Sequence, residues 1–448
     1  MEYNMRVFFV ILISKIVRFL GKRMGRGSSL PGMVALYLDR NILKKIRMPK
    51  YVIAVTGSNG KTSTVEMISY ILQKNGYSVA YNREGSNQIE GVTTFILDNC
   101  NLKGQIKTDV VLIESDERYA RYTFQKFHPT HYIITNLYRD QLTRNGHPEW
   151  IYHLLQQSIH PQTQLILNAD DPLVSCFANG HQHVLWFGLN RFSQSTDVCT
   201  SVYHDGYYCP VCKKPMEYDY YHYNHIGSYH CPNCGHHKHQ TDYTVTAVDL
   251  DKGFFEIDHE VQIQMRLKSI YNVYNILATY AACRLVGVGK QQIADSINRY
   301  TLKNGRVVNF LCGSHEGMLL TSKHENSISY DQSIRVAANH KSDCTVTIII
   351  DAISRKYFTG ETSWIWDVDF EMLNAPNIKQ ILLMGSYCND LATRFAYTKI
   401  PPEKIKIYED IQQGVDFIKQ QGIGYQYVVT CFSDKDKFLS KVTICREE

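Results

Sequence analysis

Charge of one sign is scarce in this chain: 48 lysine and arginine residues against 43 acidic ones leave a net +5 over 448 residues. The basic residues are scattered, and the aromatic excess is mostly tyrosine spread along the chain, so nothing points to a nucleic-acid partner. A secretory cleavage signal is also missing, which argues against reading the 13 cysteines as a disulfide framework. Reduced thiols in the cytoplasm are expected instead, some of them assigned to metal. The N-terminal apolar run, residues 7–13, soon meets Lys15 and Arg18, and it falls short of the roughly 20 apolar residues that span a bilayer. Continued as a helix it is amphipathic, with Lys15, Arg18, Lys22 and Arg23 towards its polar side. Two readings stand, a helix packed on its own domain or weak contact with an anionic membrane surface.

The densest chemical signal is Thr56-Gly57-Ser58-Asn59-Gly60-Lys61-Thr62, which follows the apolar run 51–55 and opens a helix-like stretch over 63–73. A glycine-rich turn between strand and helix presents backbone N–H groups to an anion, and the positive end of the helix adds to their effect. Lys61 can reach the outer phosphates of a nucleoside triphosphate, and the Thr62 hydroxyl can ligate Mg2+. The generic phosphate-loop pattern wants a further glycine where Val55 stands. The plain alternative is a tight turn with an exposed lysine.

Between residues 51 and 171, short apolar runs at 52–55, 110–113, 132–135 and 165–167 alternate with longer helix-like stretches, the pattern of a parallel sheet covered by helices. The phosphate loop then lies at the carboxyl end of a strand, where open α/β sheets bind ligands. Glu114 follows 110–113 directly and is a candidate Mg2+ ligand. The alternative for Glu114, Asp116 and Glu117 is a solvated acidic loop end. Cys209-x-x-Cys212 and Cys231-x-x-Cys234 are two knuckles whose four thiolates suit a closed tetrahedral Zn2+ site, hence a ribbon insertion at about 200–242 with a structural role. Two redox pairs are the alternative, and the neighbouring His222, His225, His230, His236, His237 and His239 read as surface. From about Leu311, strand-like 345–350, 380–384 and 427–430 alternate with helical stretches as a second, smaller α/β domain. The expected division is residues 1–50 as an amphipathic lead-in, 51–310 as the nucleotide-binding domain carrying the ribbon, and 311–448 as the C-terminal domain.

The Thr-Gly-x-Asn-Gly-Lys-Thr form of the loop resembles that of the Mur ligase superfamily. The stretches 81–87, 114–117, 135–142 and 167–172, together with the ribbon, resemble its MurT branch. The resemblance implies an ATP- and Mg2+-dependent ligase of cell-wall peptidoglycan synthesis. Gly57, Asn59, Gly60, Lys61, Thr62 and Ser63 would hold the phosphates, and Thr62 and Glu114 the magnesium. Asn275 would approach the nucleotide, with Asn272 near its phosphates, although both also suit an ordinary helix start. Arg306 of the pair Gly305-Arg306 would contact ATP. The family forms acyl phosphates that an amine then attacks. In this branch the carboxylate is the α-carboxylate of D-glutamate in lipid II, and ammonia comes from a GatD-type glutamine amidotransferase subunit. No cysteine here sits in a nucleophile motif that would supply that glutaminase activity from within. Ser363-Trp364-Ile365-Trp366-Asp367 resembles the branch's C-terminal signature, which implies that Asp367 supports the partner's catalytic histidine, with Asp351 and Asp369 as alternatives.

Several positions depart from the pattern. Val307-Val308-Asn309 follows Gly-Arg where an acidic residue is usual, and Lys323-His324-Glu325-Asn326 replaces a Lys-Asn-Pro-like block. Residues 353–358 lack the Asn-Asp and Ala-Asp-Gly elements, and no lysine lies between Trp150 and Ser158. A divergent nucleotide-binding scaffold in a glutaminase complex therefore stays open beside the amidating enzyme. A single-chain ligase of the folylpolyglutamate type shares the loop but is disfavoured by the ribbon and the tryptophan block.

Overall fold

Runs of β-branched and aliphatic residues too short for helices become strands here, and glycine turns set where they stop. The computed structural model describes residues 5–23, 27–82, 87–300, 307–352 and 361–445. Two units result, the first holding 1–137, 148–200 and 204–301, the second 138–147, 201–203 and 302–448.

The first unit starts with helices α1 (Met5–Arg23) and α2 (Leu30–Leu38), then β1 (Tyr51–Thr56), α3 (Lys61–Lys74), β2 (Val79–Tyr81), α4 (Ile89–Asn99) and β3 (Val110–Glu114). Next come β4 (His131–Ile134), β5 (Gln164–Asn168), β6 (Val184–Leu189), the hairpin β7 (Glu217–Tyr223) and β8 (Ile226–His230), then β9 (Tyr243–Asp249), β10 (Phe254–Ile257) and β11 (Val261–Gln264). Nine strands form one sheet in the order β11-β10-β9-β6-β5-β4-β1-β3-β2. From β2 to β9 the neighbours run parallel, as expected. The antiparallel β9-β10-β11 edge, which the apolar runs do not announce, extends that parallel core. β1 is buried on both faces, as a central parallel strand must be. It pairs with β3 on one side and β4 on the other, so the chain reverses its winding beside β1, the switch point at which such sheets bind ligands.

α1 buries Val7, Val10, Ile11, Ser14 and Gly21 within its own unit, so the first of the two readings of this helix holds for that side. α2 comes so close to α4 that a Cβ on Gly32 would lie 1.8 Å from the Glu90 carbonyl oxygen. Only glycine allows the Gly32 N–H to donate to Thr94 Oγ1 at 2.8 Å.

In the second unit β12 (Val307–Cys312), β13 (His315–Ser322), β14 (Cys344–Ile349), β15 (Ile378–Met384), β16 (Ile405–Tyr408), β17 (Tyr425–Cys431) and β18 (Thr443–Ile444) form a sheet ordered β16-β15-β14-β17-β13-β12-β18. The expected strands are β14, β15 and β17, three neighbours within it. β12 and β18 close one edge antiparallel, and aliphatic cores lie on both faces.

Candidate phosphate site and metal centre

The loop between β1 and α3 is held open by contacts that glycine alone permits. Gly57 has φ +135° and Gly60 φ +87°, both in the region L side chains avoid. A Cβ on Gly57 would lie 2.2 Å from Thr135 Oγ1, and one on Gly60 2.0 Å from Asn275 Oδ1. Residues at the end of β4 brace the turn. The Ser58 N–H donates to the Asn136 carbonyl at 3.0 Å, and the Asn59 N–H to Asn136 Oδ1 at 2.8 Å. Thr135 Oγ1 and Asn136 Nδ2 donate in return to the Asn59 carbonyl, at 2.9 and 3.1 Å. The first-turn N–H groups of α3, from Lys61, Thr62 and Ser63, have no acceptor within their own helix and form the positive end of its dipole. The turn is therefore a rigid anion cradle.

Lys61 lies along this turn. Its ammonium donates to the Gly57 carbonyl at 2.5 Å and is ion-paired with Glu117. The two side chains are only 11% and 5% exposed, so the plain alternative of an exposed lysine fails. Glu117 is a site residue that sequence pattern does not separate from a solvated loop end. Asp116 and Glu117 are in fact buried, and Asp116 Oδ1 accepts the Arg118 N–H at 3.0 Å. Glu114 ends β3 in register with Val55, just before the loop. Asn82 holds its backbone, accepting the Glu114 N–H at 2.8 Å and donating to its carbonyl at 3.2 Å. Asn275, on the helix Ile270–Val286, faces Gly60, whereas Asn272 Nδ2 donates back to the Leu267 carbonyl at 3.1 Å in a helix-start role. Gly57, Asn59, Gly60, Lys61, Thr62, Ser63, Glu114 and Asn275 thus share the carboxyl edge of this sheet. Arg306 lies outside the described residues, as do residues 83–86 and 353–360.

The two knuckles converge. The sulfurs of Cys209, Cys212, Cys231 and Cys234 all lie within 4.8 Å of one another, with Cys209 to Cys234 at 3.6 Å and Cys212 to Cys231 at 3.5 Å. Tetrahedral thiolates at about 2.3 Å from a zinc ion would be spaced near 3.8 Å. Two independent redox pairs would not bring the sulfurs across to each other's motif. The turns repeat, with Lys213 at φ +60° and Gly235 at φ +76° directing N–H groups to the Cys209 and Cys231 carbonyls at 2.9 Å. A four-sulfur site that can hold a metal is thereby built.

The hairpin carrying the knuckles is joined to the main sheet by Asp170 and Asp171, which follow β5. Both side chains are fully buried. Asp170 takes an ion pair from Lys238 at 2.7 Å, a hydroxyl from Tyr274 at 2.6 Å and the Leu189 N–H at 2.8 Å. Asp171 caps the short helix Pro172–Ser175 and accepts the Leu137 N–H at 2.8 Å. His222 and His225 lie beside these carboxylates, 3.9 and 3.8 Å away, with side chains 0% and 4% exposed. This corrects the reading of the six histidines as surface: β7 and the turn after it direct these two inward, which histidine count and spacing do not reveal. Burial lowers the His222 pKa to about 4 despite Asp170, so the imidazole is neutral and makes no ionic pair at 3.9 Å. In the unfolded chain it would titrate near 6.5. As pH falls from about 6.5 towards 4 the unfolded state binds a proton that the folded state refuses, so stability declines. The expected loss from this group is about 2 kcal/mol by pH 5. Urea unfolding at pH 7 and pH 5 measures it, and His222→Gln should flatten the difference; an unchanged slope would refute the assignment.

In the second unit, Trp364 is buried against Tyr330, with ring centroids 5.1 Å apart, while Trp366 is 43% exposed and meets Tyr397 edge-on. One tryptophan anchors the block and the other faces out, beside a cavity of about 240 Å³ lined by Thr362, Ile365, Trp366, Asn389, Asp390 and Thr393. Asp367 Oδ1 accepts from Arg139 at 2.9 Å. The alternatives are more deeply committed. Asp369 is buried, and burial raises its carboxyl to about 6. Burial also pushes Asp351 up, but Lys437 and Ser386 outweigh it and hold that carboxyl below its ordinary value. The departing Lys323 block is built into this unit: Lys323 pairs with Asp140, Asn326 Nδ2 donates to Asp140 at 2.9 Å, and Asn326 caps the helix Ser327–Ala338.

Over residues 55–236 the sequence matches the Mur ligase middle domain family, and over 324–434 the MurT ligase C-terminal family. It is 29% identical over 399 residues to the MurT subunit of the glutamine-hydrolysing lipid II isoglutaminyl synthase of Staphylococcus aureus (strain COL), covering 88% of this chain and 89% of that protein. The subunit of the same name from Streptococcus pneumoniae (strain ATCC BAA-255 / R6) is 29% identical over 455 residues, covering 99% of both. Among solved structures, a pseudomurein peptide ligase type C from Methanothermus fervidus has a TM-score of 0.69 at 19% identity, over 90% of this chain and 80% of that one. MurF from Acinetobacter baumannii has a TM-score of 0.62 at 17% identity, over 91% and 79%. At such identities the structures establish the fold.

Proposed function

We propose, from the premise that this chain belongs to the Mur ligase family and carries a MurT-type C-terminal domain, that it is the ATP-dependent ligase subunit of a complex that amidates the D-glutamate α-carboxylate of lipid II. The observation that carries this reading is Lys61, set in a braced glycine cradle at the sheet's switch point, within a chain that matches both families. A carboxylate oxygen of the substrate attacks the terminal phosphorus of ATP and ADP leaves. Ammonia then attacks the acyl phosphate carbonyl, a proton is lost, phosphate departs and the amide remains. Gly57, Asn59, Gly60, Lys61, Thr62 and Ser63 hold the phosphates, Lys61 and Arg306 stabilise the transferring phosphoryl charge, and Asn275 lines the nucleotide side of the cradle. Thr62 and Glu114 are the residues that would hold Mg2+, which supplies neutralisation of phosphate charge when bound. Cys209, Cys212, Cys231 and Cys234 would hold Zn2+ in a closed site, which suits structure rather than catalysis.

Ammonia is scarce as NH3 near neutral pH, so a GatD-type glutamine amidotransferase subunit is the partner, and the setting is cytoplasmic. Asp367 acts there as a positioning residue, orienting the partner's histidine and stabilising its charged form. The test is mass spectrometry of lipid II incubated with this chain, its amidotransferase, ATP and either glutamine or ammonium chloride. Both nitrogen sources should give the mass decrease of a carboxyl converted to an amide. Asp367→Asn should cut the glutamine-driven yield on the order of 10³-fold or more while sparing the ammonium-driven one. Equal loss from both would remove Asp367 from that role. No mass change, with glutamine hydrolysis intact, would favour the nucleotide-binding scaffold that the departures around residues 323–326 and 353–358 left open.

A further inference from the structure

Helix α1 is apolar on two opposite sides, and among the described residues only one of them has an occupant. Val7, Val10, Ile11 and Ser14 are buried in the first unit. On the other side Met5, Phe9, Ile16, Phe19 and Leu20 are between 50% and 66% exposed, and Ile13 is 36% exposed. At about 100° per residue these six fall within an arc of about 120°, so they form one continuous stripe along the helix. Single exposed apolar side chains are ordinary, but a contiguous stripe of this size marks an interaction surface.

We propose that this stripe is an interfacial membrane anchor, which lays the first unit on an anionic phospholipid surface with α1 in the plane of the headgroups. Charge decides for a bilayer over a second copy. Residues 1–50 contain eleven lysine and arginine residues and two acidic ones. Lys22 and Arg23 are exposed at the end of the stripe, and the Arg23 guanidinium lies 4.6 Å from the Phe19 ring centroid. Arg6 flanks the other end. Pairing two such faces would crowd basic rims together, whereas anionic headgroups neutralise them. The two acidic groups bonded to this helix and its neighbours, Asp39 and Asp98, are committed: Asp39 pairs with Lys45 at 2.5 Å and lies 3.9 Å from Arg6, and Asp98 accepts from Arg18 at 2.8 Å. The helix lies on the membrane rather than crossing it, because its opposite face is buried in protein. Among the described residues no helix is long and apolar enough to span. The stripe shares no residue with the phosphate cradle, and its test needs no catalysis.

The full chain is sedimented with vesicles of equimolar phosphatidylglycerol and phosphatidylcholine, and separately with phosphatidylcholine alone. Binding to the anionic vesicles that weakens with added salt is expected, together with a blue shift of the added indole emission in Phe9→Trp. Phe9→Asp with Phe19→Asp should weaken binding more than about 100-fold, and Lys22→Glu with Arg23→Glu should abolish the preference for anionic lipid. Absence of binding at low salt, or full binding by the Phe9/Phe19 variant, overturns the proposal. So does a dimer in sedimentation velocity that this variant dissolves, since the stripe would then belong to a second copy. The proposal and the ligase reading fail separately, because a chain that binds vesicles without amidating lipid II sinks only the latter.

Discussion

Lys61→Ala should eliminate amide formation from glutamine and from ammonium alike, by about 10²–10³-fold or more, the scale expected when one preorganised group is withdrawn from developing phosphoryl charge. That symmetry separates it from Asp367→Asn, which on the proposed reading should touch only the delivery of nitrogen. The substitution has a second consequence that arises in the folded structure. Glu117 is 5% exposed at its side chain and is ion-paired with Lys61, so removing the ammonium takes a counter-charge away from a buried carboxylate. Orphaning one member of a buried pair costs about 3–5 kcal/mol. Thermal unfolding of Lys61→Ala should therefore show a clear drop in Tm, and adding Glu117→Gln should recover much of it without restoring product. If the single variant kept the parent's Tm, the Lys61–Glu117 pair would be a surface feature and the cradle would not be buried. If it kept the parent's yield, Lys61 would have no part in phosphoryl transfer.

The second large effect is expected at the four-cysteine centre. Cys209 and Cys231 are buried, at 0% and 2% exposure, and the hairpin beside them has a small core of Met216, Tyr229 and the cysteines themselves. A module with so little apolar burial would depend on a bound metal for stability. Cys231→Ser should remove bound zinc, measured as metal per chain by plasma emission, and destabilise the ribbon by several kcal/mol, on the order of what structural thiolate sites contribute. The loss should spread inward. Lys238 pairs with Asp170 from the ribbon at 2.7 Å, so its unfolding strips the counter-charge from a carboxylate at the end of β5. Hydrogen exchange should show lost protection at β5 and at the start of the helix Ile270–Val286 as well as in the hairpin. A Cys231→Ser chain that retained one zinc and the parent's Tm would exclude the metal as a structural element.

The features legible in the amino-acid sequence are those whose cause is local. The phosphate loop is readable because positive φ at Gly57 and Gly60 and a lysine opening the next helix are adjacent in the chain. The central strands β1, β3, β4 and β5 are readable because strands buried on both faces must be continuously apolar. The strands β10 and β11 give little signal because they are short, with alternate residues outward in β11. The sequence of α1 is compatible with burial and with membrane contact, because a wheel of apolar residues does not say which side the protein covers. Burial of His222 and His225 gives no signal, since the carboxylates that receive them lie about fifty residues earlier.

By itself, then, the sequence determined the glycine cradle, the paired cysteine knuckles, the parallel core and the resemblance to the Mur ligases, because turn geometry, thiol spacing and hydrophobic period are encoded within a few consecutive residues. Only the tertiary structure decided that Lys61 is held by Glu117, that Asp170 joins the ribbon to the sheet, that Arg139 meets Asp367, and that one side of α1 is uncovered among the described residues. Each of these depends on which distant groups share a low-dielectric space, where an unpaired charge is costly and a paired one is not, and distance along the chain carries no information about that.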